Sequence, residues 1–251
     1  MSLTHQPVTA AAHLLAATAS GPSPLWYTTR ATGVVALLLL TATVVLGIAG
    51  TGRLETTGMP RLVRAGLHRN VSLLAVAFVA VHVVTTVLDP FAPIGFASAI
   101  IPFSSPYRPL WLSLGAIAVD LLLAVVLTSL FRTWLPYRVW RAVHWLAYAS
   151  WPVALWHGLG TGTDTRLPWL LLLDAVCVLV VAGALAWRLT LLGRGTARTA
   201  GLLATVAFMI ATIVFVALGP LQPGWSHRAG TPAALAHPAV SAPATSVGGS
   251  R

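Results

Sequence analysis

Residues 67–88 read LHRNVSLLAVAFVAVHVVTTVL and residues 139–158 read VWRAVHWLAYASWPVALWHG; each is an apolar run with a histidine near both ends. A hydrocarbon core about 30 Å thick takes roughly 20 residues of helix to cross. Four further stretches reach that length: 31–50, 110–131, 168–187 and 200–221. With 57% of its 251 residues hydrophobic and 8% charged, the chain is excluded from the ordinary soluble domains. Backbone groups in lipid must be satisfied within the segment, so these runs are expected as helices. The expected fold is an all-α integral membrane bundle of six spans, multi-pass in the cell membrane and bounded by lipid.

Charge sets the direction of insertion. The formal charge of +10 comes from arginines, set against Glu55, Asp89, Asp120, Asp164 and Asp174. Arg53, Arg61, Arg64 and Arg69 follow the first span, Arg132, Arg138 and Arg141 the third, and Arg188, Arg194 and Arg198 the fifth. The positive-inside rule places these connections in the cytoplasm and both termini outside. Spread between apolar runs, the arginines form no nucleic-acid face, and no nucleic-acid partner is expected.

Cys177 is the single cysteine, which excludes a disulfide framework and a covalent C-x-x-C-H haem attachment. Residues 1–24 read as a flexible leader with no cleaved signal peptide. Residues 25–221 form the transmembrane domain, and 222–251, rich in Pro, Ala, Ser and Gly, read as a disordered tail. Five prolines break the apolar segment 89–109, which is expected to cap the outer face as an interfacial or re-entrant loop. No internal repeat is evident.

Of eight histidines, His5, His13, His227 and His237 lie in the terminal segments. The other four carry the argument. His68 and His82 stand fourteen residues apart on the second span, His144 and His157 thirteen apart on the fourth. Spans two and four run in the same direction, so His68 is expected to meet His144 and His82 to meet His157. At 1.5 Å rise per residue the two levels lie about 21 Å apart. Two neutral imidazoles facing each other from neighbouring helices suit the axial ligation of a b-type haem. A zinc site wants three or four converging ligands, and each level offers two. One joint is weak: on an ideal helix thirteen residues end about 140° short of four turns. Pro152 is expected to kink or retwist the fourth span so that both its histidines face inward.

This quartet resembles the ferric reductase-like transmembrane domain shared by NADPH oxidases, ferric reductases and the haem-binding membrane subunit of the bacterial methionine sulfoxide reductase system. The likeness runs over roughly residues 25–190, through LWYTTRATG at 25–33, LHRN at 67–70, IPFSSPYRPLW at 101–111, WRAVHWLAY at 140–148 and WHGLGTGTD at 156–164. It implies two stacked b-type haems between spans two and four, ligated by His68, His82, His144 and His157. The implied function is electron transfer across the bilayer, either as an oxidoreductase or as a subunit of one. Because the sequence stops soon after the sixth span, the donor is expected to be a separate molecule, a cytoplasmic flavoprotein or a membrane quinol. The acceptor would be an external protein, a ferric chelate or oxygen. The rival reading is a haem-free transporter or proton-conducting protein using the same histidines, with Asp120 as a relay.

Secondary candidates follow from haem chemistry. Propionates call for guanidinium partners, which makes Arg30 the outer candidate and Arg69 and Arg141 the inner ones. Asp120 and Asp174 lie inside spans and need partners; Asp120 could accept a ring N–H from a ligating histidine. The glycines of GLGTGT at 158–163 follow a membrane helix rather than a strand, so they make no dinucleotide fingerprint. Most of the ten tryptophans read as interfacial anchors.

Overall fold

The computed structural model describes residues 23–50, 60–90, 94–162, 164–191 and 195–231, and these contain helices, turns and no strand. In chain order the helices are α1 (Pro24–Gly50), α2 (Arg61–Leu88), α3 (Phe96–Ile100), α4 (Pro109–Leu130), α5 (Tyr137–His144), α6 (Leu146–Thr161), α7 (Pro168–Thr190), α8 (Thr196–Leu218) and α9 (Trp225–Arg228), with a 3-10 turn at Arg132–Trp134. Nearly all of the leader 1–24, and residues 232–251 of the tail, lie outside the described residues. Among the described residues, five helices are long and apolar enough to cross a membrane: α1, α2, α4, α7 and α8. Proline opens α4 and α7, where its missing N–H costs no helical hydrogen bond.

The fourth of the six expected spans differs. It divides at Trp145 into α5, of eight residues, and α6, of sixteen. Pro152 lies within α6, so the interruption falls seven residues, about two turns, before the expected place and directly after His144. At the break the Tyr148 N–H donates to the Trp145 carbonyl, three residues back, at 3.0 Å. Such 3-10 tightening turns the chain about 120° per residue instead of 100°. It makes up part of the shortfall that thirteen residues leave on an ideal helix.

Helix α1 packs along α2, α4 packs along α6, and α7 lies against α1. The core forms where α1, α6 and α7 meet, around Val44, Ile48, Trp151, Leu155, Leu159, Cys177 and Val181. The buried Trp151 indole N–H donates to Thr41 Oγ1 at 2.9 Å, which satisfies both polar groups within the apolar layer. Outward positions such as Leu203 and Ile213 are about two-thirds exposed, as lipid-facing side chains would be.

Two loop regions shape the expected outer end. Segment 89–109 contributes α3, whose Phe96 and Ile100 are exposed and whose Ser98 is buried, as is Ile94 just before it. Beyond α8 the chain stays folded for longer than its composition suggests. Residues 222–231 form α9 and a turn, anchored by Trp225 against Phe215 and by hydrogen bonds from Arg108. Packing of one half-buried aromatic ring and bonds to a buried cation hold what sequence bias alone would leave loose.

Candidate functional site

Helices α2, α5 and α6 bring the four histidines together in the two expected pairs. Ring centroids of His68 and His144 lie 6.4 Å apart with planes crossed at 71°. Those of His82 and His157 lie 6.3 Å apart, crossed at 80°. Two nitrogens bound to opposite sides of one metal at about 2 Å each would hold imidazole centroids roughly 6 to 6.5 Å apart. The residues would therefore fit a group held between the two imidazoles of each pair. No set of three or more His, Cys, Asp or Glu that could hold a metal occurs among the described residues.

A cavity of about 940 Å³ surrounds the His82–His157 pair, bounded also by Tyr107, Thr161 and Trp169. That volume is within the range of sites that hold a cofactor-sized ligand. Its rings are oriented by backbone. Nδ1 of His82 donates to the Thr29 carbonyl at 2.8 Å, and Nδ1 of His157 to the Trp111 carbonyl at 2.9 Å. Each bond leaves Nε2 as the nitrogen with a free lone pair.

A glycine four residues after each acceptor makes room for the ring. A Cβ added at Gly33 would lie 3.0 Å from Cε1 of His82, and one at Gly115 would lie 2.6 Å from Cε1 of His157. The same cradle recurs on α1: His68 sits against Gly47, 3.5 Å from its Cβ position, and faces the backbone of Thr43. Here the bond is not closed, since Nδ1 of His68 is buried without a partner.

His144 is built differently. Counting along α4 by the offsets that serve His157 leads to Ala124 and Thr128, so a threonine stands where the glycine would be. The hydroxyl of Thr128 already donates to the Ala124 carbonyl at 2.7 Å. Nδ1 of His144 is buried without a hydrogen bond, and its ring instead stacks on Trp140, centroids 5.0 Å apart. Arg132 lies over the same Trp140 ring, its guanidinium carbon 4.7 Å from the centroid.

The secondary candidates divide. Arg30 borders the cavity, where its Nη1 donates to Asp164 Oδ2 at 2.8 Å and its guanidinium lies 4.0 Å over Trp26. Arg69 and Arg141 are exposed beside the His68–His144 pair. Asp174 borders the cavity. The ring N–H groups of His82 and His157 go to backbone carbonyls, so Asp120 accepts from neither.

Arg108 was not among the sequence candidates, yet among the described residues it is the largest fully buried side chain, 1% exposed. Its backbone is in the left-handed region at φ 42°. Nη1 donates to the carbonyls of Gly160 and Thr161 at 3.2 and 2.7 Å, and Nε to Thr231 at 2.8 Å. Burial pulls its proton affinity below the ordinary arginine value, with Tyr107 opposing the shift. Nothing in local sequence marks it, because its partners are carbonyls on distant segments. The Thr-x-x-x-Gly echo at 29–33 and 43–47, by contrast, is a sequence signal: its fourteen-residue offset equals that of His68 and His82.

The described residues thus form an all-helical domain with membrane-length helices and two facing histidine pairs. Residues 32–155 match the family model described as ferric reductase like transmembrane component, and the chain carries a ferric reductase-like transmembrane domain. Members of that family generally bind haem, and the domain points to membrane electron transfer with redox partners. The match includes His68, His82 and His144 and ends just before His157. No curated protein and no solved structure matches the chain.

Proposed function

We propose that this chain is a diheme b-type electron-transfer protein that carries electrons across the membrane. His82 and His157 would ligate an outer haem, and His68 and His144 an inner one. The observation that carries this reading is the pair of facing imidazoles, 6.3 and 6.4 Å between centroids, at two depths of one bundle. When bound, the haems supply reversible one-electron chemistry.

The chain's own residues do the rest. Carbonyls of Thr29 and Trp111 hold the outer rings, and mostly apolar side chains line the cavity around them. Arg30 at the outer rim, and Arg69 and Arg141 at the inner end, are the guanidinium partners for propionates. Six crossings, with α5 and α6 together as the fourth, put both ends of the chain outside. The arginine-rich connections then face a cytoplasmic flavoprotein donor, with a membrane quinol as the other source. The acceptor is an external protein, a ferric chelate or oxygen, and the membrane is the cell membrane.

The test is a reduced-minus-oxidised absorption spectrum of purified full-length protein with haem quantified per chain. Two b-type haems per chain are expected. A colourless protein after cofactor supplementation would overturn the reading in favour of a haem-free transporter.

A further inference from the structure

The bond from His157 to Trp111 joins α6 to α4 at 2.9 Å. One turn further along both helices, toward the same end, Arg108 joins them again. It precedes Trp111 by three residues, and its acceptors Gly160 and Thr161 follow His157 by three and four. These acceptors lie in the last turn of α6, where unpaired carbonyls concentrate negative partial charge. They therefore suit a buried cation. Among the described residues its hydrogen-bond partners are carbonyls and one hydroxyl, with no carboxylate.

The remaining donors reach the end of the described chain. The Arg108 backbone N–H donates to the Gly230 carbonyl at 3.0 Å, and Nε to Thr231 Oγ1. Trp225 adds a bond from its indole N–H to the same Gly160 carbonyl at 3.3 Å. The Trp111 ring fills the space beside Gly160, where a Cβ would come within 2.3 Å, and stacks on Phe215 at 4.7 Å. Arg108, Trp111, Gly160 and residues 225–231 thus form one packed unit around the carbonyl that orients His157.

We propose that Arg108 is a positioning residue for His157, and that Gly230 and Thr231 complete its clamp. The inference rests on the haem-ligation reading. By fixing the register of α4 against the end of α6, Arg108 sets where the Trp111 carbonyl lies relative to the His157 ring. The segment after the last long helix is then part of the outer redox site. A lysine keeps the charge but not the planar fork that spans two carbonyls and a hydroxyl at once.

The experiment uses full-length haem-loaded protein: wild type, Arg108→Gln, Arg108→Lys and Thr231→Val. Haem is counted per chain, and the low-spin ferric resonances, which report the angle between paired imidazole planes, are recorded. Arg108→Gln is expected to shift or lose the resonance of the outer haem while the inner one stays unchanged. Arg108→Lys should restore it in part, and Thr231→Val should shift it less but in the same sense. Should Arg108→Gln yield no folded protein, Thr231→Val decides. Unchanged outer resonances in every folded variant would overturn the proposal, as would equal disturbance of both haems. Wild-type protein without haem would sink the electron-transfer reading first, before any variant is compared.

Discussion

Replacing Gly115 by alanine isolates the steric half of the histidine cradle. The new methyl would sit 2.6 Å from both Cε1 and Nδ1 of His157, where ordinary carbon contacts are about 3.5–4 Å. The ring must retreat by about 1 Å, which stretches its 2.9 Å bond to the Trp111 carbonyl beyond hydrogen-bond range. Overpacking of this kind costs about 1–3 kcal/mol, and the lost bond adds about 0.5–1.5 kcal/mol. Alanine returns only about 0.8–1 kcal/mol of helix propensity, so the net effect is destabilising at the ligand. Loss of an outer-shell partner typically lowers metal affinity about 10–100-fold. Gly47→Ala is the matched control, because its methyl meets His68 at an ordinary 3.5 Å and gains propensity without a clash. Gly33→Ala, at 3.0 Å from His82, should fall between them. Haem retained per chain after gel filtration gives the ranking. If Gly115→Ala keeps both haems with unchanged spectra while Gly47→Ala loses one, the steric reasoning is refuted.

Three more outcomes are expected. His82→Ala and His157→Ala should each lower haem from two to one per chain and spare the inner site; loss of both at equal protein yield would break the pairing. Thr41→Val leaves the buried Trp151 indole N–H without its 2.9 Å acceptor, so thermal unfolding should report a loss of about 1–3 kcal/mol. Asp164→Asn removes a partly exposed ion pair with Arg30 and should cost less than about 1 kcal/mol in the same assay; a larger loss would mean that the pair is buried more deeply in the bilayer-embedded protein.

The long helices and the pairing of the histidines were legible because both rest on local arithmetic. Apolar run length marks a membrane helix, and equal parity of spans two and four dictates which histidine meets which. The fourth span was harder to read. Its division at Trp145 depends on a single tightened turn, and Pro152, the residue that draws attention, remains inside the helix. Arg108 and residues 222–231 escaped for a different reason. A buried guanidinium looks in sequence like any other loop arginine, and a segment rich in small residues looks unstructured until the groove that receives it is known. The carbonyls of Thr29 and Trp111 are invisible to any side-chain motif, although the glycines four residues beyond them are not.

Helix α1 touches both histidine levels through one repeated device, Thr29 with Gly33 above and Thr43 with Gly47 below, whereas α4 carries it for His157 alone. The first helix is thus a ruler shared by both stations, and its graduation is the fourteen-residue interval. Inserting one residue between the marks would swing one of them about 100° around the helix axis, so length within 30–42 should be intolerant to change even where individual side chains are replaceable.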